Sequence, residues 1–453
     1  MTAKTEIIDS TAHPFLEGPI ASKILRLAAP GLLGSLLQSV LFVADGWFVG
    51  RLGPLALAGV ALVFPLFVLS VMFSAGAVGG AVVAATARAL GAKDHEAAGA
   101  LVRTALILAV CGGILSALIV WLFGPALFRF LGGEGVILQT AVDYAAVIFP
   151  GISLVWLFNM LASLMRGNGD MLRPSLGLGV VVLVHFIAAS FLVTGAGPVP
   201  SLGIKGAALS ILIGYSIGCL YLAAYLFSIK RPEWVQLAGT IRWQQVLVVG
   251  RRGALASVQS ALTIAMAMVV TGYMARIGPE SLAGYGIGVR LELILIPIIF
   301  AFGSASIAMA GLSVGAGLRE RALRVSWTGS GFAALFVGLI GTVLAMAPWL
   351  WSGLFTDNLE IAATTALYLH IVGPAYAFFG LGLCLYFASQ AMNTLLWPVA
   401  GAGIRFVVLL AGGSLLLEPT TLNETSIFVL VAGAMATYGL FNALTLRLGP
   451  WRH

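Results

Sequence analysis

Runs of about 20 or more apolar residues recur along this entire chain, and a helix needs about that many to cross roughly 30 Å of hydrocarbon. Such runs fall at 24–49, 55–82, 101–124, 138–164, 175–194, 203–228, 246–274, 282–312, 325–348, 362–388, 395–417 and 425–447. Of the 453 residues, 60% are hydrophobic and only 9% charged, against about 25% charged in soluble domains. No soluble fold accommodates that much apolar surface, and no stretch is left over for a separate water-soluble domain. The expected fold class is an all-α polytopic membrane protein with twelve transmembrane helices.

The formal net charge of +7 does not point to nucleic acid, because the Lys and Arg residues sit in short loops rather than in one basic stripe. Arg51, Arg129, Lys205 and Arg276 lie in loops on one side, and the other loop cations lie on the opposite side. By the positive-inside bias that places both termini in the cytoplasm, in an inner cell membrane, and agrees with an even number of spans. The first residues carry charges and no apolar core, so they read as a cytoplasmic tail rather than a secretory signal. Cys111, Cys219 and Cys384 stand singly inside apolar stretches and read as small buried hydrophobes.

The second half of the chain repeats the first. Gly50-Arg-Leu-Gly-Pro-Leu-Ala-Leu-Ala-Gly59 matches Ala275-Arg-Ile-Gly-Pro-Glu-Ser-Leu-Ala-Gly284, and Gly91, Tyr144, Pro150 and Pro174 map to Gly315, Tyr368, Pro374 and Pro398 at a nearly constant offset of 224 or 225 residues. With six spans in each copy, the copies run in the same direction and are related by a pseudo-twofold axis along the membrane normal. Two such lobes around a central cavity suit alternating access, one lobe rocking against the other. The expected division is an N-terminal tail over 1–22, a first lobe over 23–229, a linker over 230–245, a second lobe over 246–448 and a C-terminal tail over 449–453.

Four segments carry a family resemblance. They are Val43-Ala-Asp-Gly-Trp-Phe-Val-Gly-Arg-Leu-Gly-Pro-Leu-Ala-Leu-Ala58, Met165-Arg-Gly-Asn-Gly-Asp-Met-Leu-Arg-Pro174, Gly197-Pro-Val-Pro-Ser-Leu-Gly-Ile-Lys-Gly-Ala-Ala208 and Val289-Arg-Leu-Glu-Leu-Ile-Leu-Ile-Pro297. In order and spacing the chain resembles the multidrug and toxic compound extrusion (MATE) family, closest in pattern to its proton-coupled DinF-like branch. The resemblance implies export of organic, often cationic or amphipathic compounds in exchange for protons or sodium ions.

An aspartate inside a membrane helix costs about 2.5–3.5 kcal/mol on insertion scales, which makes Asp45 the first candidate for ion coupling. It lies six residues before Arg51, and its repeat mate is Val270, so it belongs to one lobe only. A carboxylate whose surroundings alternate between dry and wet can take up and release a proton; a sodium ion could bind instead if neighbouring oxygens complete a cage, and an interfacial aspartate solvated by water is the plainer reading. Gln38, seven residues earlier on the same helix face, could hold substrate or water, or pack against a neighbouring helix. On the fourth span, Tyr144 comes to the depth of Asp45 and Asn159 lies deeper; both are candidates for substrate binding, with an interfacial tyrosine belt the alternative for Tyr144.

Pro30 precedes Asp45 by fifteen residues, a separation found in proton-coupled members, so the resemblance implies a hinge at which protonation changes the bend of the first span; a passive kink fits as well. In the fifth span the acid of archaeal relatives falls at Ala189 and is missing. The Asn before it falls at His185, which could share a proton with Asp45 or be a hydrogen-bonded packing histidine. In the second lobe, Arg290, Glu292 and Arg405 form a candidate charged network, with Glu292 pairing with an Arg on another helix or facing the cavity. Residues 257–274 and 362–388 lack the acids of sodium-coupled relatives, which favours the proton over sodium.

No P-loop, GxSxG or HExxH arrangement occurs, so neither an ATP-driven pump nor a membrane protease is expected. The expectation is a monomeric transporter, not an enzyme, without cofactor, whose partners are small drug-like or metabolite molecules and the lipid bilayer. A flippase for lipid-linked precursors is the alternative within the wider superfamily, and it would call for extra helices and a strongly basic cavity.

Overall fold

A computed structural model describes residues 14–195, 200–228, 232–415 and 423–448. Within them the chain is all-helical, with twelve spans. The first lobe contains α1 (Ile20–Gly50), α2 (Pro54–Gly91), α3 (His95–Phe130), α4 (Gly135–Ile148 continued by Ile152–Gly167), α5 (Leu172–Leu192) and α6 (Gly203–Leu226). The second contains α7 (Trp243–Ile277), α8 (Pro279–Gly315), α9 (Arg319–Met346), α10 (Leu359–Val372 continued by Tyr376–Met392), α11 (Leu396–Leu415) and α12 (Glu424–Leu448). Several helices outrun the expected spans; α2 runs to Gly91 and α3 starts at His95, because both project past the hydrocarbon into the basic loops. The first helix begins at Ile20, inside the expected tail. Residues 1–13, the middle of the Gly/Pro loop between α5 and α6, residues 230 and 231 of the expected linker, most of the loop before α12 and the C-terminal tail at 449–453 lie outside the described residues.

The repeat is visible in the geometry. Pro150 and Pro374 each fall in the break of a bent span, where α4 turns by 51° and α10 by 60°. A proline lacks the N–H that continues a helix and clashes with the preceding turn, so it breaks both spans at the same place. Gly59 backs onto Thr140, and its repeat mate Gly284 backs onto Thr364. In α2 the helix also loosens into a π turn at Phe73–Ala77.

Two large apolar cores underlie the two lobes. One gathers Leu41, Phe48, Tyr144, Ile148 and Tyr215, among others, and the second gathers Tyr285, Phe302, Tyr368, Tyr376 and Tyr438. Ile24, Leu27, Ala28, Val83 and Ala84 of the first lobe pack with the second core, so the basic-side halves of α1 and α2 form the seam. A side-chain carbon at Gly91 would sit 2.1 Å from the carbonyl oxygen of Leu312, and one at Gly315 would sit 2.0 Å from that of Arg88. These contacts exchange under the repeat, so α2 and α8 cross on the pseudo-axis at backbone contact, as small residues permit in membranes. Arg88 Nη1 then donates to the carbonyls of Gln390 and Ala391 at 3.0 and 2.9 Å, capping the end of α10 across the seam. Gly31 against Ala301 and Gly253 against Val78 lie in the same halves of their helices. The lobes are closed at the basic face.

The linker is held against the first lobe. Trp234 and Val235 are buried in its core, and Arg103 of α3 donates to the carbonyls of Gln236, Ala238 and Thr240 at 3.1, 2.8 and 3.2 Å. Cys219 and Cys384 are buried and Cys111 is exposed, against the expectation for it; all three are free.

Gly315→Leu forces a side chain into the carbonyl of Arg88, so the variant is expected to lose about 1–3 kcal/mol, as overpacked sites do. A melt of the purified protein checks it, together with the disulfide yield of a Gly31→Cys/Ala301→Cys pair in the same background. The side-chain carbons of that pair would stand 3.4 Å apart across the seam, close to disulfide spacing. Both the melting temperature and the yield should fall.

Candidate functional site

Asp45 lies on α1 within the first lobe and is 6% exposed. The hydroxyl of Tyr144 on α4 donates to Asp45 Oδ2 at 3.1 Å, and Oδ1 is buried without a partner. Tyr144 is fully packed, which sets aside its reading as an interfacial belt residue. The first half of α4 carries the phenol to Asp45, and the break at Pro150 turns the second half away. One oxygen is therefore held by a neutral donor, and the other is buried without one.

The remaining candidates make separate contacts elsewhere. Gln38 Oε1 accepts from the Tyr215 hydroxyl at 3.4 Å, and its Nε2 is buried and unpartnered. Asn159 Nδ2 donates to Ser74 Oγ at 2.9 Å, inside the π turn of α2. Asn159 thus ties α4 to the irregular turn of α2 and does not join Asp45 and Tyr144. The turn's other flank is held by Trp156 Nε1, donating to Ser70 Oγ at 2.9 Å. Sequence reasoning missed Ser70, Ser74, Trp156 and Tyr215. Their signal is spacing: Ser70 and Ser74 share one helix face at i, i+4, and Trp156 and Asn159 share another at i, i+3.

The structure places His185 elsewhere than beside Asp45. Its Nδ1 lies 3.0 Å from Ser210 Oγ on α6. Ser210 donates its single proton to Ala207 O at 2.7 Å, so the imidazole N–H is the donor to Ser210. The ring meets the edge of Phe48 at 6.1 Å, and its Nε2 is buried without a partner, so no hydrogen bond joins it to Asp45. The hydrogen-bonded packing histidine describes this geometry, and the side chain that reaches Asp45 is Tyr144.

Pro30 sits inside an unbroken α1. Its carbonyl accepts from Ser175 Oγ at 2.6 Å, and Gly34 leaves the room that Ser175 occupies. The proline turn is thereby coupled to the start of α5.

In the second lobe Arg405 Nη2 approaches Glu292 Oε1 to 3.8 Å, with the Arg405 side chain buried and that of Glu292 13% exposed. Arg290 is outside this pair: it is exposed, with its guanidinium over the Phe355 ring at 5.3 Å. The charged network of the second lobe is a pair on α8 and α11, because residues two apart on a helix point in different directions.

Two six-helix lobes joined on a pseudo-axis, with Asp45 buried in the first, have the architecture of a membrane transporter. The MatE family pattern matches residues 30–191 and 256–413, one stretch in each lobe, and the chain belongs to that family. An FAD transporter of Shewanella oneidensis is 27% identical over 87% of this chain and 86% of its own length. The probable multidrug resistance protein YoeA of Bacillus subtilis is 27% identical over 82% and 81%. Among solved structures, an outward-facing multidrug resistance MATE family transporter of the MOP superfamily superposes with a TM-score of 0.86 at 21% identity, covering 97% of this chain and 98% of that one.

If Tyr144 is bound to an ionised Asp45, Tyr144→Phe should cost about 1.5–3 kcal/mol, the range for a hydrogen bond to a charged group. The same change should cost little in an Asp45→Ala background. Thermal melts of the four proteins of this double-mutant cycle measure the coupling.

Proposed function

We propose that this chain is a MATE-type antiporter that exports organic, cationic or amphipathic compounds in exchange for protons, from an inner cell membrane with both termini in the cytoplasm. The observation that carries the reading is Asp45: a buried carboxylate at a position where the second lobe has Val270, held through one oxygen by a neutral phenol. Tyr144 supplies a single oxygen, which suits a group that exchanges a proton with water better than a sodium cage of several oxygens. The relatives' names, an FAD transporter and a multidrug resistance protein, support organic molecules as the cargo class. The Lys and Arg bias of the loops supports the orientation.

In the cycle, an outside proton enters Asp45 while the lobes are closed at the basic face. Loss of the charge weakens the bond from Tyr144 and alters the packing of α1 around Pro30 and Ser175, releasing cargo outward. Deprotonation after the lobes rock open at the basic face restores the bond and the site for new cargo. Closure is stabilised by the crossing of α2 and α8 and by the Arg88 cap on α10.

In proteoliposomes loaded with ethidium, an imposed proton gradient should accelerate dye movement and an equal sodium gradient should not. Asp45→Asn should insert normally and show no response to the proton gradient. A wild-type response to sodium alone contradicts the proton assignment.

A further inference from the structure

The interior of the second lobe contains a group of polar side chains that neither the repeat nor the transport cycle above uses. Arg405 of α11 is 4% exposed. Its Nη2 lies 3.8 Å from Glu292, beyond hydrogen-bond reach, and its Nε and Nη1 have no partner. The guanidinium is flanked by the rings of Phe379 at 4.9 Å and Tyr438 at 5.9 Å. The Tyr438 hydroxyl faces Gln259 of α7 and Asn442 of α12 without reaching hydrogen-bond geometry with either. Both amide atoms of Gln259 and the Oδ1 of Asn442 are likewise buried and unpartnered.

So many bare polar atoms around one buried guanidinium are costly. A buried donor or acceptor left unmade costs about 1–3 kcal/mol, and more when charged. The fold does not demand them: at the equivalent places the first lobe has Gly34, Phe67, Val181, Gly218 and Leu222 for Gln259, Glu292, Arg405, Tyr438 and Asn442. The second lobe carries an addition, as the first carries Asp45.

We propose that this cluster is a binding site for an oxyanion, the carboxylate or phosphate of a small solute, with Arg405 as its charged anchor and Gln259 and Tyr438 as further donors. Glu292 is the internal stand-in that occupies the Arg405 charge when the site is empty. A planar guanidinium matches an oxyanion in shape and charge. The site holds one positive charge, so an oxyanion and an ionised Glu292 together would leave a buried negative charge unpaired. Binding therefore brings a proton onto Glu292. The other titratable groups around that carboxylate are the phenols of Tyr285 on its own helix and of Tyr368 and Tyr376 on the two halves of α10; Tyr438 of α12 faces Arg405, and Arg290 points to Phe355. Phenols stay neutral across the ordinary pH range, which leaves Glu292 as the group that titrates.

The test is thermal stabilisation of the purified full-length protein by benzoate and, separately, by inorganic phosphate, with neutral benzamide as the shape control. For the wild type, at least one oxyanion should raise the melting temperature more below neutral pH than above it, and benzamide should not. Glu292→Gln should respond equally at both pH values and at a roughly tenfold lower concentration. The doubly neutral Glu292→Gln/Arg405→Gln protein, which leaves no buried charge unpaired, should respond to neither anion. Three results overturn the proposal: no response to either anion in wild type and Glu292→Gln alike, an equal response to benzamide, or an undiminished response in the double variant.

Discussion

The hydrogen bond between Tyr144 and Asp45 is the interaction on which the rest of this account depends. A carboxylate inside hydrocarbon must be protonated, paired or hydrogen-bonded, because an isolated charge there is too costly to keep. Here it is none of these completely: one oxygen has a neutral donor and the other has no partner. The balance between proton and charge at such a group responds to small changes in hydration. That responsiveness is what the proposed proton exchange needs.

The two lobes meet this demand unequally on one shared frame. Glycines at 91 and 315 allow α2 and α8 to cross at backbone contact, and prolines at 150 and 374 break α4 and α10 at matching places. On that frame the first lobe adds Asp45 where the second has Val270, and the second adds Arg405 and Glu292 where the first has Val181 and Phe67. The frame is the part that repeats. The polar additions are what distinguish the lobes.

Much of the frame is legible in the sequence. The number of spans follows from the length of the apolar runs, and the lobes follow from the offset that links Tyr144 to Tyr368 and Pro150 to Pro374. The bends of 51° and 60° at those prolines are not legible, since a proline in a membrane helix can kink, break or leave it straight; Pro30 in α1 does not interrupt its helix. Pairings are the least legible. Depth alone allows both Tyr144 and His185 to reach Asp45, and only the tilt of α4 and α5 decides between them. The same holds for Glu292, whose partner lies on α11 rather than two residues away on its own helix.

The central claim is that Asp45 exchanges a proton within the working range of the transporter. Infrared absorption of the protonated carboxyl group, recorded across pH for membranes containing the wild type and Asp45→Asn, tests it without knowledge of the cargo. The account predicts a difference band that disappears as the pH rises and is indifferent to sodium. A band that does not change with pH, or one that sodium removes at constant low pH, would contradict it.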